Sequence, residues 1–326
     1  MVAWWRWGHS PPGDLVRHAT LAPSSHNTQC WRFQIADKSI SISPDFTRRC
    51  PAVDPDDHHL FVSLGCATEN LVHAALAAGL QADGRFNPAG DGIIAVNLEA
   101  IQKRVTPLFQ AIAHRQCTRG DYDGQPISPD ELRQLEKAGT GEGVSVRLLT
   151  ARLAIESVLA YVVAGNAAQM NDPAFMAELK TWIRFSADEA LGSGDGLFTG
   201  ASANPVLPRW LDGRLMNIFF TPKSENEQYA RQIRNSSGIA VFVSERSDKT
   251  RWVESGRCYE RFALQATALG IRNAFLNQPV EASVIRPQFA QWLGLSGQQR
   301  PDLVVRFGHG PVMPMSMRRP VQAVIV

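Results

Sequence analysis

Two stretches, LGCATENLVHAALAAGL from Leu64 to Leu80 and SGRCYERFALQATALGI from Ser255 to Ile271, decide how this chain is organised. With Gly65 set against Gly256, Glu69 falls on Glu260, Leu71 on Phe262, Ala75 on Ala266, Ala77 on Ala268, Gly79 on Gly270 and Leu80 on Ile271. Each stretch has the apolar spacing of a long helix with a glycine near its C-terminal end. Each also follows an acidic, turn-prone segment and precedes a further strand. The pair reads as an internal repeat; the alternative is a chance alignment of two amphipathic helices.

Working outward, helix and strand signals alternate, and the class is α+β. Helices are expected at Asp14 to Leu21, Asp57 to Leu80, Glu99 to Ala113, Pro129 to Ala138, Arg152 to Gln169 and Trp252 to Gly270. The fourth has an N-cap at Ser128 and a capping-box partner at Glu131. Strands are expected at Trp31 to Ile35, Ser39 to Ser43, Ile93 to Leu98, Val144 to Leu149, Gly238 to Ser244, Asp302 to Gly308 and Val321 to Val326. Between Phe185 and Pro222 the periodicity dissolves into a Gly/Ser/Asn-rich run that still carries Leu197, Phe198, Leu207, Trp210 and Leu211. Such a stretch is either a lid that packs on something or a disordered insert. Its GSGDG follows no strand and lacks the spacing of a dinucleotide fingerprint.

Composition removes several classes. Of 326 residues, 44% are hydrophobic and 20% charged, which excludes a mainly disordered chain. The formal net charge of +2 gives no basic excess for a nucleic-acid partner. Cys30, Cys50, Cys66, Cys117 and Cys258 are odd in number and scattered without a CxxC pair, so neither a disulfide framework nor a cysteine zinc site is indicated. No apolar run approaches the ~20 residues of a membrane span. Met1 to Asp14, MVAWWRWGHSPPGD, lacks both the apolar core of a signal peptide and a twin-arginine pair. Trp4, Trp5 and Trp7 are expected to pack on the protein body or to belong to a loose end, rather than to enter a membrane. A reducing, cytoplasmic setting is the expectation, with neither nucleic acid nor membrane as partner.

Four segments carry chemistry. HATLAPSSHNTQCWRF, His18 to Phe33, places Ser24, Ser25, Asn27 and Gln29 on one polar turn after Pro23. Its amides and hydroxyls suit the edge of a heteroaromatic ring, or form an ordinary Asn/Ser turn into a strand. HRQCTRG, His114 to Gly120, holds Arg115 and Arg119 four apart, and SMRRPV, Ser316 to Val321, adds Arg318 and Arg319. Each pair is either an anion clamp or a solvated basic turn. The helix ending at Gly270 delivers the chain into a loop with Asn277, Gln278 and Pro279; otherwise it is a plain core helix with its exit loop. No HExxH and no paired Cys/His spacing points to a metal, and the adjacent His58 and His59 do not share a helix face. No GxSxG elbow supports a hydrolase.

Together these segments resemble the nitroreductase superfamily of FMN-dependent enzymes, in its Acg-type FMN-binding subgroup. HATLAPSSHNTQCWRF is similar to that family's A-x-x-A-P-S-S-x-N-x-Q-P-W-x-F turn, with Cys30 in place of the usual proline. HRQCTRGDYDG resembles its R-x-S-x-R/K phosphate motif, with Cys117 where serine is usual, and SMRRPV its C-terminal basic motif. GRCYERFALQATALGIRNAFLNQPVE resembles its central helix and flavin-contacting loop. The resemblance covers most of residues 14–326 and is weakest over the lid.

The resemblance implies a nitroreductase-like fold, with FMN as cofactor and NAD(P)H as electron donor. It implies hydride transfer through FMN to a small-molecule acceptor such as a nitroaromatic or quinone. The cofactor-binding residues it implies are Pro23, Ser24, Ser25, Asn27, Gln29, Arg115, Cys117, Arg119, Asn277, Gln278, Arg318 and Arg319. No catalytic side chain is implied, because the reactive group belongs to the cofactor. Ordinary members are homodimers whose arginine motif precedes the PSSxN turn; here the order is reversed. With the helix repeat, this implies two fused and diverged halves, residues 14–112 and 113–326, after an N-terminal arm of residues 1–13. The second half carries the lid insertion at about 185–222. The expected product is a monomer that imitates a dimer and holds one FMN per chain. The competing expectation is a protein that stores FMN or senses redox state with little turnover.

Overall fold

The repeat of sequence is matched by a repeat of topology in the computed structural model, which describes residues 12–202 and 221–326. Strands β1 (Trp31–Ile35), β2 (Ser39–Pro44), β3 (Leu80–Asn87) and β4 (Ile93–Ala100) form an antiparallel sheet in the order β1-β2-β4-β3. Farther along lie β5 (Val144–Leu149), β6 (Ile183–Arg184), β7 (Leu197–Phe198), β8 (Gly238–Ser244), β9 (Arg272–Phe275) and β10 (Arg300–Gly308). Of these, β5, β8, β10 and β9 make a second antiparallel sheet in that spatial order. Counted within its own sheet, each set of four strands therefore runs first-second-fourth-third. In each sheet, a long helix lies between the second strand and the third: α2 (His58–Ala78) in the first sheet and Lys249–Ala268 in the second.

These two helices form the centre of the molecule. α2 buries every residue from His58 to Leu71, and Cys258, Tyr259, Phe262, Ala263 and Ala266 of the second helix belong to the same continuous apolar core. Gly65 and Gly256 set the closeness of the crossing. A Cβ on Gly65 would lie 2.0 Å from the Val253 carbonyl oxygen, and one on Gly256 would lie 1.9 Å from that of Val62. Val62 and Val253 are themselves separated by the repeat offset, so the contact is reciprocal, like the self-complementary interface of a two-fold dimer. The chain end returns to the first sheet. Phe33 donates its N–H to the Val324 carbonyl at 2.7 Å and accepts that of Val326 at 2.9 Å.

Several expected elements match closely. The helix α4 (Pro129–Ala138) has the Ser128–Glu131 capping box, and β5 and β8 have the expected bounds. Others are corrected. The strand expected to end at Leu98 continues to Ala100, and the helix expected from Glu99 shrinks to Pro107–Ile112. Pro107 holds Thr106 extended and provides a natural first helical residue, so the helix starts there with Thr106 as its cap. The expected strand from Val321 to Val326 is a 3-10 turn, Val321–Ala323, followed by a single bridge between Ile325 and Phe33. β3 and β9 carry too few apolar residues to be read as strands from sequence.

In the expected lid, α7 (Ala187–Ser193) and β7 lie among the described residues, whereas Leu207, Trp210 and Leu211 lie outside them, as do Trp4, Trp5 and Trp7. α2 and α5 (Arg152–Met170) are long and apolar enough to cross a membrane by length and composition. For α2, 83% of that apolar window is buried inside the protein, as in a core helix.

Candidate functional site

Two adjoining cavities open beside the polar turn of residues 23–27. The larger, of about 260 Å³, is walled by the Pro23–His26 turn, by α2 through His59, Ser63 and Cys66, and by the loop of Asn277, Gln278 and Glu281. The smaller, of about 80 Å³, is lined by Asn27, Arg115, Cys117, Arg119 and Arg318. Pro23, Ser24, Arg119, Leu197 and Phe275 line both, so the two are chambers of one site.

The polar turn holds its shape through several left-handed residues: His26, Asn27 and Gln29 have φ of 47°, 55° and 54°. The Ser24 hydroxyl accepts the Gln29 N–H at 2.8 Å. The Asn27 amide donates to the Gly196 and Met317 carbonyls at 3.1 Å and accepts from Arg318 at 3.1 Å. Gln29 donates to the Gly194 carbonyl at 2.8 Å, and its side-chain oxygen accepts the Arg319 N–H at 2.8 Å. Gln29 therefore ties the turn to the lid base and the C-terminal segment from outside both cavities; Arg319, also outside both, donates to the Gln29 carbonyl at 3.5 Å and the Ala323 carbonyl at 2.8 Å.

The arginines of the small chamber differ in their engagement. Arg115 is ion-paired with Glu260 at 3.0 Å and donates to the Leu21 carbonyl at 2.6 Å. Burial opposes its charge, but the Glu260 carboxylate outweighs burial and tightens its hold on the proton. Arg318 donates to the carbonyls of Thr20, Leu21 and Ala22 at the end of α1 (Pro12–Thr20), a favourable place for a cation. Burial, and then the like charge of Arg115, push its pKa down to about 9. The lining of this chamber holds three arginines and no carboxyl side chain. Arg119 stands at the junction of the two chambers.

The large chamber is rich in amides and buried carboxyls. Asn277 accepts the Val304 N–H at 3.0 Å, and the Gln278 side-chain oxygen is buried without a hydrogen-bond partner. Asn166 and Gln169 of α5, and Glu225, Gln228, Tyr229 and Gln232 of the helix Pro222–Arg234, complete one wall. Burial raises the pKa of both Glu225 and Glu281. Arg306, 1% exposed, donates to the Gly120 carbonyl at 2.8 Å and stacks its guanidinium 4.1 Å above the Tyr122 ring. Asn277 and Gln278 were expected from the sequence; the other residues of this wall, and Arg306, were not. A signal was present for some: Asn166 and Gln169 interrupt an otherwise apolar helix, and Arg306 sits inside an apolar strand.

No family model matches the chain. A Mycobacterium tuberculosis protein provisionally named an NAD(P)H nitroreductase is 25% identical over 333 residues, spanning 97% of this chain and 92% of that protein. A second from the same organism, provisionally named NAD(P)H nitroreductase acg, is 21% identical over 322 residues, spanning 95% and 94%. Among solved structures, a nitroreductase with bound FMN from Desulfitobacterium hafniense aligns with a TM-score of 0.42 at 16% identity, covering 68% of this chain and 98% of that one. The FMN-dependent nitroreductase NfnB from Mycobacterium smegmatis, in complex with NADPH, aligns at 0.41 and 14% identity, covering 63% and 87%.

Proposed function

A relative of the nitroreductase superfamily along nearly its whole length, this chain is, we propose, an FMN-dependent oxidoreductase that takes hydride from NAD(P)H and passes it to a small acceptor such as a nitroaromatic or quinone. The carrying observation is the pair of joined chambers, one lined by three arginines and no carboxyl, the other walled by amides, apolar side chains and the buried carboxyls Glu225 and Glu281. A flavin mononucleotide needs this combination: an anion subsite for its phosphate and an apolar slot with polar edges for its ring. The donor set fits. Arg119 and Arg318 would face the phosphate, while Ser24, Ser25, Asn277 and Gln278 would edge the ring. When bound, FMN supplies the two-electron chemistry itself. The protein binds and orients it, keeps water from the ring, and offers donors where negative charge develops.

The halves 14–112 and 113–326 are read as a fused, diverged dimer with one site. The repeated strand order and the reciprocal Gly65–Val253 and Gly256–Val62 contacts support this. So does the fate of the mirror position. Ser63 and Cys66 line the large chamber, and their repeat equivalents are Glu254 and Arg257. With Arg261, these close into ion pairs around Glu69: Arg257 and Arg261 lie 3.0 and 3.1 Å from Glu69, and Glu254 lies 3.5 and 3.2 Å from the same two arginines. Large paired side chains thus stand where the mirror chamber would open. The reading includes a cytoplasmic setting, a monomer as the working unit, and neither nucleic acid nor membrane as partner.

A second reading, flavin storage or redox sensing, is favoured by Leu197 and Thr199 against the large chamber and Phe198 and Ala201 against the small one, since such a cover restricts access. Anaerobic mixing of the FMN-loaded protein with NADH or NADPH separates the two. Rapid bleaching of the flavin followed by reoxidation with a quinone is the oxidoreductase result; a flavin that stays oxidised is the carrier result.

A further inference from the structure

Behind the wall of the large chamber, Asp54, His58 and His59 converge at the first turn of α2. One ligand-type atom from each lies within 4.8 Å of the other two. The three residues are 3%, 1% and 6% exposed. Adjacent histidines diverge within a helix, but here the chain before α2 brings Asp54 back over its start, and the two imidazoles sit 4.6 Å apart between centroids. Asp54 is fixed in place: its oxygens accept the N–H groups of His59 and Leu60, each at 3.0 Å. A carboxylate oxygen that accepts one hydrogen bond retains capacity for another partner.

The surroundings of the imidazoles carry the inference further. His58 turns Nε2 to Asp302 Oδ1 at 3.0 Å, and His59 turns Nε2 to Glu281 Oε1 at 3.5 Å. Both carboxylates come from the second half of the chain. Nδ1 is the nitrogen left on each ring, and on His58 it is buried with no hydrogen-bond partner. Metal-bound histidines are typically held in this manner, one nitrogen on the metal and the other oriented by a carboxylate. Two histidines and a carboxylate suit zinc or another divalent transition metal. Asp54, Glu281 and Asp302 supply negative charge against Arg300, whose Nε lies 3.8 Å from Asp302. His59 and Glu281 also line the large chamber, which offers an entry path.

We propose that Asp54, His58 and His59 bind one divalent transition-metal cation, zinc by its donor class. Asp302 and Glu281 orient the two imidazoles. The ion would tie Asp54, which precedes α2, to the first turn of that helix at the back of the chamber, so its role is structural and does not depend on the flavin reading. A second cluster, His26, Cys50 and Glu178, also brings three ligand-type atoms within 4.8 Å of one another, and it differs in holding a thiol.

Cobalt distinguishes the two clusters. The full-length, metal-stripped chain is titrated with Co²⁺ and then back-titrated with Zn²⁺. The expected result is one equivalent per chain, visible-region d–d bands without a thiolate charge-transfer band, and displacement by zinc. Zinc should raise the Tm in a concentration-dependent manner. Asp302→Asn should weaken binding by ~10–100-fold, His58→Ala by more, and Cys50→Ala not at all. Should His58→Ala fail to fold, the wild-type spectrum and Asp302→Asn decide. Absence of saturable binding to the folded wild type overturns the proposal. So does a thiolate band that disappears in Cys50→Ala, which would place the ion on the other cluster.

Discussion

Arg119 stands where the two chambers join, and Arg115 and Arg318 hold the end of α1. Removing each therefore has a different consequence. Arg119→Ala should weaken FMN binding by about 1.5–3 kcal/mol, the range of a hydrogen bond to a charged group, and leave riboflavin affinity nearly unchanged. Fluorescence titration with both ligands measures this, and equal losses would move the phosphate elsewhere. Arg115→Ala should instead cost about 3–5 kcal/mol of stability, because Glu260 would be left buried without its partner; the denaturant midpoint reads it. Glu69 gives a pH test. Burial opposes its charge, but His73, Arg261 and Arg257 outweigh burial and lower its pKa to about 2. Its contribution is therefore complete above pH about 4.5 and is lost as the pH falls towards 2. Glu69→Gln should be less stable at neutral pH, with the gap to wild type closing across that window in pH-dependent urea melts. Single residues were legible in the sequence where their role is local, as with Ser128 and Glu131. They were not where partners are remote: nothing near Glu260 in the sequence marks Arg115 as its counter-ion.

At the scale of elements, the crossing of α2 with the helix Lys249–Ala268 is the most exacting contact. Gly65→Ala and Gly256→Ala each place a methyl group within about 2 Å of a backbone carbonyl oxygen on the facing helix, and backbone does not yield as a flexible side chain would. Both variants should lose at least ~1–3 kcal/mol, and by similar amounts, because the contacts are reciprocal. A tolerated alanine at either position, read from thermal or denaturant melts, would mean that the helices do not cross this closely. The match that marks this crossing was readable because both helices carry a glycine, a glutamate and two alanines at the same depths. The strands at the sheet margins were not. β3, LQADGRFN, alternates buried and exposed positions with few apolar residues, and β9 spans only Arg272–Phe275. Their pairing with β4 and β10 is non-local, and local propensity carries little of it. The over-long helix from Glu99 came from apolar spacing that continues across a strand end, a coil and a short helix; Thr106-Pro107 is the signal that divides them.

For the whole molecule, we propose that two diverged halves build one site, and the ion pairs among Glu69, Glu254, Arg257 and Arg261 support a closed mirror position. Much of the site could be read from motif order: the polar turn lies before residue 30, the basic segments near 115–119 and 318–319, and the structure gathers Asn27, Arg115, Arg119 and Arg318 around the small chamber. The wall from Asn166 to Gln169 and from Glu225 to Gln232 could not be read in this way, because its residue types carry no fixed spacing. The most direct measurement is flavin stoichiometry. The purified chain is saturated with FMN, freed of excess, and the acid-released flavin is compared with protein concentration while the mass in solution is recorded. The account predicts one FMN per chain in a particle with the mass of a single chain. Two per chain would show that the mirror position is open. None retained, or one retained only by a two-chain particle, would contradict a site completed within a single chain.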